Sequence, residues 1–364
     1  MKVLFLAPQP FFIPRGTPIA VANLLRALEG EVIGKLLTLP FGEDLEIPLE
    51  IERLDRIPFT RPPRPGFSFT KFLYDVELLE EVLRQARGYD LIHAVEEANF
   101  IALMAKKLKG IPFVYDMDSI LSEQLRGPLK KMAESLEKKA LKEALGVVAV
   151  SPSLVDYARR FNQQVFYLPD TPFWQEYPEV DKGRFGWEGK TVVLYAGNFA
   201  PYQGVDFLLD AFSLTTRDDL LLVLLGGEKE VNLPRVEVLP PVSPRRVNEY
   251  LAAADILVSP RLSGVNTPMK IYSYLGAGKP IVASAIESHT QVLTPDVALL
   301  LPLDRELWAR KIEELARDPV LRRELGRRAR EVFEREYSWE RFRRRARGIY
   351  REIDSRLQSK ERRV

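Results

Sequence analysis

Apolar runs of strand length alternate with helix-period amphipathic patterns along almost the whole chain. Strands are expected at Lys2–Leu6, Glu31–Thr38, Glu50–Ile57, Asp90–Ala94, Pro112–Asp116, Val147–Val150 and Gln164–Leu168. Between them lie helical patterns at about Ile19–Leu28, Phe69–Gln85, Asn99–Lys107, Leu129–Leu145 and Ser153–Phe161. Pro8, Pro10 and Pro14 are expected to stop the first strand at once. Residues 171–190, rich in Pro, Gly and Trp, break the rhythm and read as a connection. A second series follows, with strands at Thr191–Ala196, Leu220–Leu225, Val236–Leu239, Ile256–Ser259, Pro280–Ala285 and Ala298–Leu301. Helical patterns cover Val205–Phe212, Pro244–Ala253, Arg305–Arg317, Val320–Tyr337 and Trp339–Leu357. Such alternation predicts an α/β chain with parallel sheets covered on both faces. The expected division is 1–170 as a first Rossmann-like domain, 171–190 as a linker, 191–337 as a second, and 338–364 as a terminal helix and basic tail.

Length and composition support this division. At 364 residues the chain is long for a single core, and 46% hydrophobic residues fill two. Basic and acidic residues number 53 and 51, so nothing calls for a nucleic-acid partner. No cysteine and only two histidines, His93 and His289, exclude disulfides and thiolate metal sites and argue against a histidine metal cluster. The apolar start is too short for a signal segment or a membrane span and reads as a first strand, while the lack of cysteines suits a cytoplasmic protein.

The stretch Ser259-Pro260-Arg261-Leu262-Ser263-Gly264-Val265-Asn266-Thr267-Pro268-Met269-Lys270 carries the most chemistry. A strand empties into a polar loop that opens a helix ended by Gly278 and Pro280. Thr267 is placed as its N-cap. Free N–H groups and the positive end of the helix dipole then face the loop, a ready anion site, with Lys270 adding a charge. The bland alternative is a capped helix with Lys270 solvated. Gly16, between the first strand and helix, likewise suits backbone approach to a diphosphate or plain turn chemistry. His93 ends an apolar strand and reads equally as a packed core histidine, with Glu96 and Glu97 as ordinary first-turn acids. Asp118 follows the strand around Tyr115 and reads as a helix N-cap or as a catalytic carboxylate.

Several segments, in order and at matching spacing, resemble the family 4 glycosyltransferases of the GT-B fold, the group 1 type. They are Arg15-Gly16-Thr17-Pro18, Asp90-Leu91-Ile92-His93-Ala94, the loop Tyr195 to Gly204, Ala253 to Pro260, and Gly278 to Ser284. The resemblance spans nearly the full length. It implies two facing doubly wound Rossmann-like domains with a C-terminal helix crossing back to the first. It implies a retaining transfer of a sugar from a nucleoside-diphosphate donor, UDP- or GDP-linked, to a glycan or lipid-linked acceptor, with no cofactor and no bound metal. Asp116-Met117-Asp118 also spells the metal-binding D-x-D of the other glycosyltransferase fold, whose single-domain context is absent.

On this resemblance Asp118 and His93 are the catalytic candidates. Gly16, Arg15, Lys270, Arg261, Asn266 and Thr267 are placed at the donor diphosphate, Asn198 and Gln203 in the donor loop, and Gly226, Gly227, Pro241 and Val242 at the nucleoside. The family's usual basic pair in the donor loop is replaced here by Asn198 and Gln203, and its two glutamates spaced eight apart by Val265 and Ser273. The positive charge is therefore expected to have moved to Arg261, Lys270 and Arg15. The alternative is a catalytically silent GT-B scaffold or carbohydrate-binding partner subunit; a same-fold nucleotide-sugar epimerase suits the terminal helices less. Ten Lys/Arg against three Asp/Glu in 341–364, with basic stretches at Leu129–Leu145 and Ala105–Lys109, suggest peripheral contact with anionic lipid at the inner membrane face, or a solvated surface.

Overall fold

The computed structural model describes residues 1–13, 16–43, 45, 47–57, 69–125 and 127–361. The chain forms two compact units, one of Met1–Pro169 with Phe342–Val364, the other of Asp170–Arg341.

The first unit holds β1 (Lys2–Pro10), α1 (Gly16–Ala27), β2 (Ile33–Leu39), β3 (Glu50–Arg53), α2 (Phe69–Gln85), β4 (Leu91–Val95) and α3 (Ala98–Lys109). It continues with β5 (Phe113–Met117), α4 (Gly127–Glu143), β6 (Gly146–Ala149), α5 (Pro152–Arg159) and β7 (Val165–Tyr167). The seven strands form a parallel sheet in the order β3-β2-β1-β4-β5-β6-β7. A doubly wound order of this kind puts the strands' carboxyl ends, and the loops that follow them, on one rim.

Strand alternation sorts the side chains into two layers. Leu4, Leu6, Ile92, Ala94, Phe113 and Tyr115 pack against α2, α3, α4 and α5. The other face carries Phe5, His93 and Asp116, and it receives the end of the chain as part of the same unit. β1 runs on through Pro8 to Pro10, past the expected stop. Its pairing with β4 ends at Leu6 and its register with β2 shifts between Ala7 and Pro10, so both prolines lie where the ladder is already irregular.

The second unit holds β8 (Thr191–Ala196), α6 (Val205–Ser213), β9 (Leu220–Leu225), β10 (Val236–Leu239), α7 (Pro244–Ala253) and β11 (Ile256–Ser259). It continues with α8 (Met269–Ala277), β12 (Ile281–Ser284), α9 (Glu287–Thr290), β13 (Ala298–Leu301), α10 (Arg305–Arg317) and α11 (Pro319–Val332). Its six parallel strands run β10-β9-β8-β11-β12-β13. Residues 171–190 belong to this unit: Trp187 is buried among its aromatic residues, and its indole N–H donates to Glu237 at 2.8 Å. A π-turn at Phe333–Tyr337 ends the second unit's helical layer and leads into α12 (Trp339–Glu361). From Phe342 onward α12 packs on the first unit. Phe342, Ala346, Ile349, Tyr350 and Ile353 supply its buried stripe at helical spacing.

Candidate functional site

In the second unit, the loop after β8 and the loop after β11 lock together. Gly204 has φ +73, and a Cβ there would sit 2.1 Å from the Pro260 carbonyl oxygen. Only glycine allows that approach. Leu262 N–H donates to the Tyr202 carbonyl at 2.8 Å, stitching the same two loops. At their junction Lys270 reaches back from the first turn of α8. Its Nζ donates to Gln203 Oε1 at 3.2 Å and lies 3.9 Å from the centroid of the Tyr195 ring. A Cβ on Gly197, where φ is +148, would be 2.7 Å from that Nζ. Burial, with the Arg261 charge nearby, holds the Lys270 ammonium well below its usual pKa. No carboxylate pairs with it among the described residues.

α8 starts after Pro268, with no side-chain cap, and ends at Gly278 with φ +65. The N-cap expected at Thr267 is therefore one residue out. Thr267 is buried, and its hydroxyl accepts from Gln291 Nε2 at 2.9 Å, as the Val265 carbonyl does at 2.8 Å. The first turn of α8 is left with its N–H groups uncapped by any side chain, so the dipole end stays available to an anion.

Arg261, expected as a free donor-site cation, is turned inward. It is buried, with Nε donating to the Ser263 carbonyl at 2.7 Å, Nη1 to the Asn266 carbonyl at 3.1 Å, and Nη2 to Asn266 Oδ1 at 3.2 Å. It staples the loop, and Asn266 is spent accepting from it. Asn198 shapes its own turn, its Oδ1 accepting from Ala200 N–H at 3.1 Å and its carbonyl from the Tyr195 hydroxyl at 2.6 Å. Beneath the loop, His289 is fully buried, with Nε2 at 3.0 Å from Ser259 Oγ and Nδ1 at 2.9 Å from the Ser284 carbonyl. Burial pushes its pKa down to about 4. A neutral ring fits this setting, with Nδ1–H donating to Ser284 and Nε2 accepting from the Ser259 hydroxyl.

Gly226 closes on the end of β10, donating to the Leu239 carbonyl at 3.0 Å. Gly227 lines an open groove of about 450 Å³ with Glu228, Lys229, Glu230, Val238 and Pro240. Pro241 is exposed just beyond that groove, and Val242 turns toward the core.

In the first unit, Gly16 is exposed at the start of α1, with open space where a Cβ would be. Arg15 lies outside the described residues. His93 is fully buried on β4. Its Nε2 lies 3.0 Å from Asp116 Oδ2 on β5, and its Nδ1 lies 2.7 Å from the Tyr350 hydroxyl on α12. Both ring nitrogens are occupied inside the core, and the residue joins two strands to the terminal helix, as the packed-core reading of His93 describes. Asp118 is half-buried at the end of β5, and its backbone N–H donates to Glu96 Oε1 at 2.8 Å. Glu96 Oε2 accepts from Ser119 Oγ at 2.8 Å. Glu96 is buried, adopts φ +51, and is raised by desolvation to about pKa 7.

Both units match family models. Residues 15–169 match the glycosyl transferase 4-like domain, and residues 190–318 match glycosyl transferases group 1. The chain is a group 1, family 4 glycosyltransferase. It is 23% identical over 357 residues to a phosphatidyl-myo-inositol mannosyltransferase of Mycobacterium leprae, spanning 88% of this chain and 89% of that one. Among solved structures it resembles sucrose-phosphate synthase of Thermosynechococcus elongatus, with a TM-score of 0.81 at 21% identity, covering 97% and 99% of the two chains. It also resembles Anabaena HepE in complex with UDP-glucose, with a TM-score of 0.76 at 18% identity, covering 99% and 100%. The GT-B fold follows from these likenesses.

For this glycosyltransferase, sequence reasoning passed over two residues. Glu96 looked like an ordinary first-turn acid. Its positive φ and its hold on Asp118 and Ser119 arise from the chain reversal between β4 and α3, which leaves no mark on residue type. His289 offered no local pattern either, since its partners Ser259 and Ser284 come from two neighbouring strands.

Proposed function

We propose that this glycosyltransferase transfers a sugar from a UDP- or GDP-sugar to a glycan or lipid-linked acceptor with retention of anomeric configuration and without a bound metal. The observation that carries the donor half is the unpaired Lys270 ammonium at the uncapped start of α8, held by Gln203 and Tyr195. A lysine desolvated without a counter-charge is costly, and a diphosphate supplies the missing charge. In this reading Lys270 and the first-turn N–H groups of α8 bind the diphosphate. They also stabilise the charge that builds on its leaving oxygen as the sugar–oxygen bond breaks. That is the task a divalent cation performs in other transferases. Arg261 keeps the loop in shape, and Gly16, exposed at the start of α1, leaves its own backbone open to a ligand. Gly226 and Gly227 with their groove suit the nucleoside. Asp118, set by Glu96, orients the acceptor hydroxyl. Among the described residues no three His, Cys, Asp or Glu side chains converge as metal ligands.

Thermal-shift and calorimetric titration with UDP, GDP, ADP and their sugars tests the donor class. Product anomers read by NMR test retention, and turnover after chelation tests the metal. Stabilisation by a uridine or guanosine diphosphate is expected. No response to any nucleotide returns the reading to a silent scaffold.

A further inference from the structure

The loop between β11 and α8 is held by its carbonyls. Ser284 Oγ donates to the Arg261 carbonyl at 2.5 Å, and the Arg261 guanidinium donates to the carbonyls of Ser263 and Asn266 at 2.7 and 3.1 Å. Gln291, which follows α9, supplies the remaining contact. Its Nε2 donates to the Val265 carbonyl at 2.8 Å and to the Thr267 hydroxyl at 2.9 Å. The carbonyls of Arg261, Ser263, Val265 and Asn266 are thus all turned toward protein donors.

A trans peptide points its N–H away from its carbonyl. With these carbonyls turned in, the N–H groups of Leu262, Gly264, Asn266 and Thr267 turn the other way. That of Leu262 is taken by the Tyr202 carbonyl. Among the described residues no acceptor takes the N–H of Gly264, Asn266 or Thr267. Gly264 has φ +127, and a Cβ there would lie 2.3 Å from Arg261 Nη2, so the chain wraps the guanidinium closely only with glycine. Asn266 and Thr267 present consecutive N–H groups on one side, an arrangement that makes a concavity for an anion. Pro268 then leads to the uncapped start of α8 and to Lys270.

Val265 stands where the family pattern carries an acid, and its side chain has no polar group to offer a donor. What this stretch can offer is main chain, so the orientation of the peptides decides what it binds. Gln291 sets that orientation from outside the loop, holding the residues on both sides of Asn266. Its amide suits the task, because the Val265 carbonyl can only accept. A carboxylate in its place would turn an oxygen on that carbonyl and put negative charge behind the N–H groups.

We propose that Gln291 is a positioning residue for donor binding: it fixes the loop so that the N–H groups of Gly264, Asn266 and Thr267 form a backbone cradle for the donor diphosphate just ahead of Lys270. This role rests on the donor reading above and adds to it a group that acts through the loop without touching the ligand.

The test is calorimetric titration of the full-length protein with UDP and UMP, and with GDP and GMP. The ratio of diphosphate to monophosphate affinity reports the cradle, whereas a general weakening of the unit lowers both affinities alike. Gln291→Met keeps the side-chain length and loses the donor. Its diphosphate affinity should fall about tenfold or more, with the monophosphate affinity within about twofold. Gln291→Glu should lose more, and melting curves taken alongside should show both variants folded. Three results overturn the proposal: an unchanged ratio in both variants, an equal fall for diphosphate and monophosphate, or a fall confined to Gln291→Glu, which would mark a repelled anion and no lost positioning. All three leave the donor reading standing. A wild type that binds neither diphosphate overturns that reading and this role with it.

Discussion

Lys270 Nζ lies 3.2 Å from Gln203 Oε1, which ties the start of α8 to a glutamine standing where the family pattern carries a basic residue. The amide can accept from the ammonium, whereas a second cation at that position would repel it. The substitution and the lysine therefore make sense as a pair. Replacing Lys270 with Met should weaken diphosphate binding about 10- to 100-fold, the loss of a charge-assisted contact. It should also raise the melting temperature by about 2 °C or more, because a depressed lysine pKa marks a destabilising buried charge. The sign follows from linkage: the unfolded lysine holds its proton more firmly, so wild-type stability from this group rises with pH toward the ordinary lysine value, and the Met variant lacks that slope. Calorimetry with UDP or GDP and scanning calorimetry of both proteins check the two halves.

Gly197 tests the same contact from the other side. Gly197→Ala places a Cβ 2.7 Å from Lys270 Nζ on a backbone with φ +148. The lysine must shift or the loop must strain, at a cost of about 1–3 kcal/mol. Nucleotide affinity should fall about tenfold or more while the far-ultraviolet spectrum stays native. Unchanged affinity would show that the lysine's position is not critical.

Much of this was legible in the chain, and the boundary of legibility is physical. Alternation of apolar runs and amphipathic patterns located both sheets, and α2 fell on its expected limits of Phe69–Gln85. The helix that carries Lys270 and the loop before it were located because a Gly-Pro stop and a polar entry are local signals. What escaped was side-chain direction. Arg261 looked like a free cation because sequence cannot show that Ser263 and Asn266 fold back to receive its guanidinium. The packed-core reading of His93 stayed one of two because Tyr350, its partner, lies 257 residues away.

His289 predicts an acid limit for the second unit. Its pKa falls from the usual 6.5 to about 4 in the fold, so its stabilising share is complete above 6.5 and is lost as pH falls toward 4. The share is on the order of 3 kcal/mol for a fully desolvated ring. Urea unfolding at pH 7, 5.5 and 4.5 should show this slope in the wild type and a flatter one in His289→Asn. Equal slopes would place the acid sensitivity elsewhere.

Tyr350 anchors α12 through His93 Nδ1 at 2.7 Å. Burial next to Asp116 raises the phenol pKa, so the hydroxyl keeps its proton and donates, leaving Nε2–H for Asp116. Tyr350→Phe should cost about 1–2 kcal/mol by leaving a buried ring nitrogen unsatisfied. Hydrogen exchange should quicken along α12 and at β4, with nucleotide binding by the second unit unchanged.

Glu96 gives the sharpest separation between holding a loop and holding a proton. Its carboxyl accepts from Asp118 N–H and Ser119 Oγ, and burial raises its pKa from 4.5 to about 7. The folded state therefore binds a proton that the unfolded state has released between those values. The contribution is full below pH 4.5 and is lost as pH rises through 7. Glu96→Gln keeps an acceptor for Asp118 N–H and abolishes the titration, so stability near pH 7.5 should rise slightly and the slope between pH 5 and 7.5 should flatten. Glu96→Ala leaves the Asp118 N–H without its acceptor, at a cost of about 2–3 kcal/mol. If Asp118 orients the acceptor, the Ala variant should lower kcat with little change in donor affinity, and the Gln variant should restore most of it. A Gln variant as slow as the Ala variant would mean that the carboxyl itself, and not the loop it shapes, serves the transfer.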